Sequence, residues 1–496
     1  MTLTAVGPAR HRTFPSASRR TRLRRRLSAG VLACAAALAA AGATAVPAEA
    51  APAATTAYFW VAPTSTSTLN TSCSTAGYHT VQSAVVAAEA YESAHLTVVP
   101  TIEICPATYS EQVTVTSSLI MTRAKEPASQ GPAVIELPAA VGQSTSLGLS
   151  TTNCQAKDAT SHPATQVPQS VIEVCAAKAG GVNAGGVSVS ISHITIEGQW
   201  ASAVCYDSLN GLLVEGGASV SLSESIVQKI GGDATTDGCQ GGVDIQAGDS
   251  VTGQIGHVTV TNDTIESYQK NGITVDGPGS TGKVSGVTVT GAGPTGAVAQ
   301  NGIQISLGAT GTVSHSTVTG NNYTGPAFAT AAGILVFGGG GSVCGNGKIS
   351  PLVKRASFAH NTLINNDIGV ALFNVDSTCS KSPRTPTRDT VCYNVISNSH
   401  GYSHGEPSAD ANVAGFQTGK GKLIGDQAGV SDSGNADVIC SNLISGSGYR
   451  QRDKTSTLPN PAPPAWVRPI DLFSYAPAIH PSVHGNSYDG KPYKPS

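Results

Sequence analysis

Lys270 opens the stretch KNGITVDG, in sequence between two carboxylates carried by short alternating segments, Asp244 in GVDIQ and Asp276 in GITVD. A lysine in such company can act as a general base if its pKa is drawn toward neutrality and a partner stabilises the charge that develops. Lys270, Asp244 and Asp276 are therefore the candidate catalytic set. Around them the alternation projects one side chain in two outward. One outward column reads Leu213, Asp244, Thr274, Gln304, Leu335 and Ala371, and its neighbour reads Glu215, Gln246, Asp276, Ser306, Phe337 and Phe373. Glu215, Gln246, Thr274 and Gln304 could hydrogen-bond sugar hydroxyls, and Phe337 and Phe373 could stack on sugar rings. Lys229 is the alternative base, followed by Asp233 and Asp237 in GGDATTDG, which are the candidate calcium ligands. The competing reading of the same residues is an ordinary solvated sheet face with a solvated turn lysine.

Other patterns carry less. GYSHG at 401 to 405 fits G-x-S-x-G, but a nucleophile elbow needs a helix after Ser403, and EPSADANVAG is loop-like. His193, His257, His315 and His360 recur before alternating segments at whole-repeat spacing, which reads as turn-edge placement rather than a metal cluster. Asn361, Asn394 and Asn442 read as turn asparagines whose side chains bond the backbone of successive repeats. The chain has no adjacent Asp pair of the kind glycosidic hydrolysis uses.

The elements that must position these residues follow from a repeat. Gly-aliphatic-x-aliphatic patterns begin at Gly211, Gly242, Gly272, Gly302, Gly333 and Gly369, in steps of 31, 30, 30, 31 and 36 residues, with a looser match at Gly415. Each repeat holds about three short segments rich in Val, Ile and Thr, separated by Gly, Asn, Asp and Ser. Period-two alternation at this repeat length predicts an all-β solenoid in which each turn buries its aliphatic positions against the turns above and below. With 56 glycines and 5% aromatic residues, the interior must be filled by aliphatic stacks.

From about residue 76 to 450 the chain resembles the right-handed parallel β-helix superfamily of the pectin-lyase-like kind. The opening YHTVQSAVVAAEAYESAHLTVVPTIEICPATYSEQVTV is its most specific part and is similar to the N-terminal cap of pectin-methylesterase-type β-helices. There Thr80 is the expected N-cap of a capping helix with Val81, Val85 and Ala88 inward. The resemblance implies an exported, carbohydrate-active protein, in which a uronate-type lyase would use Lys270 to abstract the proton next to a carboxylate, with calcium a possible cofactor. The resemblance does not extend to a specific active site: the galacturonase, pectin-methylesterase and mannuronan-epimerase residue sets are missing. A non-catalytic surface β-helix for adhesion or glycan binding is the alternative, and an esterase-like hydrolase the third reading. The breaks at 143 to 170 and 403 to 434 read as insertions, which build the binding cleft in this fold.

The ends bound the rest. An arginine block, an apolar run from Leu27 to Val46 and AEA at 48 to 50 have the layout of a secretory signal peptide, with the export route left open. Its removal takes eight of 29 basic and one of 31 acidic residues, leaving a formal net charge of −9, which argues against a nucleic-acid partner. Residues 51 to 75 form an N-terminal lead, and 451 to 496 a proline-rich tail with Trp466 and Phe473 as anchors. A polysaccharide partner, no membrane attachment after cleavage and a monomer are expected. Ten cysteines remain, and disulfides between sequential neighbours are expected.

Overall fold

The structure, a computed structural model, describes residues 57–64, 67, 69–125, 131–138, 169–176, 186–200, 209–232, 240–323, 331–340, 350–376, 382–399, 427–449, 467–472 and 481–493. Three long sheets run through the described residues. The first has twelve strands, from Tyr58–Val61 to Ser482–His484; the second has ten, from Val113–Val115 to Val467–Leu472; the third has twelve, from Ala107–Ser110 to Lys491–Pro492. Each coil contributes one strand to each sheet, as in Asn271–Asp276, Thr281–Ser285 and Thr288–Thr295. All pairings of named strands are parallel except the closing hairpin of Ser487–Tyr488 with Lys491–Pro492. The chain is a single-stranded right-handed parallel β-helix with an N-terminal capping helix.

The alternation produces the expected interior. Leu212, Ile245, Ile273, Ile303, Ile334, Val370, Val430 and Ile470 stand in register on successive coils of the second sheet, and all are buried. No coil covers both its upper and lower edges alone, so burial is shared between neighbours. Glycines sit where the second-sheet strands bend inward. A Cβ on Gly302 would come within 2.4 Å of Val318 Cγ1 and 2.7 Å of the Gly333 carbonyl.

The helix Val81–Ala94 closes the first turn. Thr80 Oγ1 accepts from the Ser83 N–H, and Val81, Ala84, Val85 and Ala88 are buried. Glu111 completes the cap by accepting the Val81 and Gln82 N–H groups at 2.7 and 2.9 Å. Gln82 then does what a missing strand would do: its amide accepts from Thr114 N–H at 2.7 Å and donates to Thr114 O at 3.3 Å, satisfying the exposed edge of the second sheet.

Corners between the first and third sheets are built from a recurring pair. A residue with positive φ, among them Asn262 (60°), His315 (52°), His360 (58°) and Tyr393 (61°), precedes a buried polar residue, while His193 (58°) precedes the apolar Ile194. The asparagines at these corners form the expected ladder: Asn361 N–H donates to Asn394 Oδ1 at 2.9 Å, Asn394 N–H to Asn442 Oδ1 at 3.0 Å and Asn442 N–H to Asn486 Oδ1 at 2.9 Å. Three of the four singled-out histidines occupy the corner, where the His315, His360 and Tyr393 rings stack. His257 differs: it lies inside the strand Gly256–Thr261 and Asn262 takes the corner.

The coils extend beyond the expected 76 to 450. Tyr58–Val61 already pairs in the first sheet, and Val467–Leu472, Ser482–His484 and Ser487–Tyr488 add a further coil from the proline-rich segment. Pro469 is accommodated there because it takes the bend position held by Gly429 in the coil before. Gly415, Trp466 and Phe473 lie outside the described residues; Gly429 is the residue level with Gly369. Cys73–Cys105 and Cys392–Cys440 are disulfides between sequential cysteines, and Cys175 is also disulfide-bonded.

Candidate functional site

The coil at Gly242 is out of step with its neighbours. Asn210 and Asn271 both pair with Val243, so Asp244 rather than Gly242 stands level with Gly211 and Gly272. The outward columns shift accordingly: Gln246 lies between Leu213 and Thr274, ahead of Gln304 and Leu335. Asp244 therefore occupies the inward-bending glycine position. Its carboxyl is fully buried without a hydrogen-bond partner of good geometry, near the Glu266 backbone and Tyr268. Burial first, then the Glu266 charge, pushes its pKa well above the usual carboxylate range.

Asp276 ends the strand that Lys270 precedes. Six residues of extended chain separate their backbones by about 20 Å. Asp276 is engaged where it stands: Oδ1 accepts from Ser306 Oγ at 2.6 Å and Oδ2 from Ser250 N–H at 2.8 Å. Lys270 and Asp276 are thus not brought together. Lys270 points toward the next coil, where its ammonium donates to Ala299 O at 2.6 Å. Desolvation draws its pKa down to about 8.

The outward face of the second sheet is less open than its alternation suggested. Glu215 and Thr274 are buried, and Gln246, Gln304, Phe337 and Phe373 are half-buried. The amides bond one another: Asn271 Nδ2 donates to Thr274 Oγ1 and Gln304 Oε1, Asn301 Nδ2 to Asn271 Oδ1, and Gln304 Nε2 to Ser306 Oγ. Polar groups satisfied this way hold the sheet face together before any ligand arrives. Phe337 and Phe373 are stacked at 5.9 Å with planes 4° apart, beside Ser306 and level with Asp276.

A cleft of ≈ 290 Å³ opens at the other end of these strands, lined by Lys229, Ser267, Tyr268, Gln269, Val298 and Gln300 among others. Its wall is braced by Gln300, whose Nε2 donates to Tyr268 O at 2.7 Å and whose Oε1 accepts from Ala292 N–H at 2.8 Å. Gln269 and Gln300 line it directly; Lys270, next to Gln269 in the chain, is not one of the lining residues and reaches from that coil to the Ala299 carbonyl on the next. Lys229 is on the rim, 3.1 Å from Glu197 Oε2. Asp233, Asp237 and Ser403 lie outside the described residues. Among the described residues, no three His, Cys, Asp or Glu side chains converge as metal ligands.

Three buried aspartates went unnoticed in the sequence: Asp389, Asp432 and Asp437. A signal was there. DTVCYNVIS at 389 and DVICSNLIS at 437 share Asp, Cys, Asn, Ile and Ser at matching points, so the aspartates stack on adjacent coils.

The sheets and their register define a parallel β-helix. No family model matches the chain, and no curated protein matches it. Solved structures similar to it include the Dettilon tailspike protein (11% identity, 74% of this chain and 58% of that one, TM-score 0.37), pectate lyase Pel9A (14%, 79% and 77%, 0.38) and XylC in complex with xylose (10%, 87% and 83%, 0.39). The chain thus spans under two thirds of the tailspike's length.

Proposed function

We propose that this is an exported carbohydrate-acting β-helix that takes an extracellular polysaccharide at the corner cleft, with Lys270 as the base of a uronate-type lyase. The observation that carries this reading is a lysine drawn to about 8 by burial beside a cleft walled by Tyr268, Gln269 and Gln300. A base in that range is partly unprotonated near neutral pH and still strong enough to accept a proton from carbon. Gln269 and Gln300 supply amide groups to the cleft wall, and the Phe337–Phe373 stack offers apolar ring surface at the far end of the same strands. Supporting export are the N-terminal signal layout and the disulfides.

The second reading, glycan binding without cleavage, is favoured by one observation: Asp276 is held by Ser306 and Ser250 at the far end of the strand, and Lys270 bonds neither Asp244 nor Asp276 among the described residues, leaving no engaged partner among the candidates for the developing enolate charge. Both readings are separated by one experiment. Residues 51 to 496 are incubated with pectate, pectin, alginate and neutral glycans, with and without calcium, following the ultraviolet absorbance of unsaturated products, reducing ends and methanol. A rise in unsaturated product that disappears in Lys270→Ala establishes the lyase. Flat traces on every polymer, with retardation in a polysaccharide gel, leave binding alone.

A further inference from the structure

Asp389, Asp432 and Asp437 meet at the corner between the second and first sheets, near the C-terminal end of the solenoid. Asp389 and Asp437 each precede a first-sheet strand, Thr390–Cys392 and Val438–Cys440, and Asp432 ends the second-sheet strand Gln427–Asp432. Two of them tie coils together. Asp389 Oδ1 accepts the Ala356 N–H at 2.8 Å and its Oδ2 accepts Asn374 Nδ2 at 2.9 Å, while Asp437 Oδ1 accepts the Asp389 N–H at 2.7 Å and Thr387 Oγ1 at 2.6 Å. Asp432 Oδ1 holds the turn by accepting the Gly434 N–H at 2.8 Å.

That leaves two buried oxygens, Asp432 Oδ2 and Asp437 Oδ2, with no N–H or hydroxyl donor among the described residues. They belong to carboxyls close enough to hydrogen-bond each other, which requires a proton on one of them. The second-sheet strand Ile368–Val375 contributes neutral Asn374. The 382 to 389 segment contributes Thr387 and Asp389, its Arg384 and Arg388 side chains being exposed, and the 433 to 437 turn adds Ser433 and Asn435. On the last strand of the second sheet, Val467–Leu472, the charged pair Arg468–Asp471 lies on the outward face, Asp471 standing level with Ser431. The 350 to 356 segment, which donates the Ala356 N–H, carries Lys354 and Arg355, both exposed, so among the described residues no buried cation faces the cluster.

We propose that the Asp389–Asp432–Asp437 cluster is a proton-dependent lock, in which an Asp432 hydroxyl donates to the Asp437 carboxylate and holds the coils from Gln427 onward closed in acidic to neutral solution, releasing them in alkaline solution. When the shared proton leaves, two carboxylates face each other with no counter-charge among the described residues, and the backbone bonds they organise are lost with them. Burial and mutual charge place the folded-state titrations high: Asp389 is pushed up to about 8 and Asp432 well above the usual carboxylate range. Unfolded aspartates titrate near about 4, so the folded chain holds the extra protons between about 4 and about 8, and its stability falls as pH rises through that window. The Cys392–Cys440 disulfide joins the far ends of the two first-sheet strands and keeps them adjacent while the corner opens.

The test is amide hydrogen exchange of the full chain from acidic to mildly alkaline pH, corrected for the intrinsic exchange rate, alongside Asp432→Asn and Asp389→Asn. Protection in residues 427 to 449 should fall at least tenfold more than in residues 271 to 306 as the wild type crosses about pH 8. Asp432→Asn, whose amide donates without titrating, should hold its protection. Uniform protection across the chain at every pH overturns the proposal, as does an unchanged alkaline loss in Asp432→Asn. Should Asp432→Asn fail to fold, Asp389→Asn must shift the loss to higher pH by removing one of the repelling charges; an unmoved profile there overturns it equally.

Discussion

Lys270 has one described hydrogen-bond acceptor, the Ala299 carbonyl. Its lowered pKa comes from desolvation, so the neutral amine becomes abundant as pH rises through about 8. If Lys270 is the base, product formation should climb tenfold per pH unit below about 8 and level off above it, and Lys270→Arg should be inactive because a guanidinium stays protonated. A stopped-time assay across pH reads both. Asp244 predicts the opposite kind of outcome. It is a buried carboxyl at a glycine position with no well-formed hydrogen bond, and an unsatisfied buried polar group costs about 1–3 kcal/mol. Asp244→Gly should raise stability to urea at neutral pH, by about 1 kcal/mol after glycine's backbone entropy, with the gain shrinking toward pH 4.

At the scale of the element, each corner is a ladder rung whose donors and acceptors belong to different coils. Asn394 is fully buried and donates to Phe358 O, Cys392 O and Asn442 Oδ1 while accepting from Asn361 N–H and Nδ2. Asn394→Ala strands several of these at once and should cost about 3 kcal/mol, measured by chemical unfolding. Asp263 shows what a carboxyl does at the equivalent rung: it accepts Ser225 and Thr261 N–H groups, yet burial still raises it to about 6. The bend glycines fail differently. Gly302→Ala drives a methyl against Val318 and the Gly333 carbonyl and should cost about 1–3 kcal/mol through overpacking.

For the whole molecule, protons and disulfides both bear on the stability of the solenoid, and Asp389 and the Cys392–Cys440 disulfide do so at the same end. Buried carboxyls with raised pKa values, Asp263 at about 6 and Asp389 at about 8, bind protons in the folded state that the unfolded chain has released. Their stabilising contribution is complete below about pH 4 and is lost as pH rises through these values, so thermal unfolding should occur at higher temperature at pH 5 than at pH 8.5. Cys392–Cys440 closes a loop with a sequence separation of 48, worth about 4 kcal/mol in the chain-entropy account. Cys392→Ser should therefore lower the unfolding temperature and steepen its alkaline decline.

The sequence by itself determined the solenoid, its capping helix and the asparagine ladder. Each of these rests on local chemistry repeated at fixed intervals: Val and Ile alternating with polar residues, Thr80 at a helix start, Asn after a left-handed residue. Register was not legible from glycine spacing alone, which holds at Gly242 although the strand pairing there does not follow it. At Gly242 the extra residues before Val243 moved Asp244 onto the inward bend, and no count of intervals reveals which of two adjacent glycines a coil will pass over. Tertiary structure alone decided that Lys270 and Asp276 lie at opposite ends of one strand, that the outward amides satisfy each other, and that three aspartates 43 to 48 residues apart or five apart share a buried corner. Stacking joins residues one coil apart, while sequence spacing records only the length of chain that each coil and its loops consume.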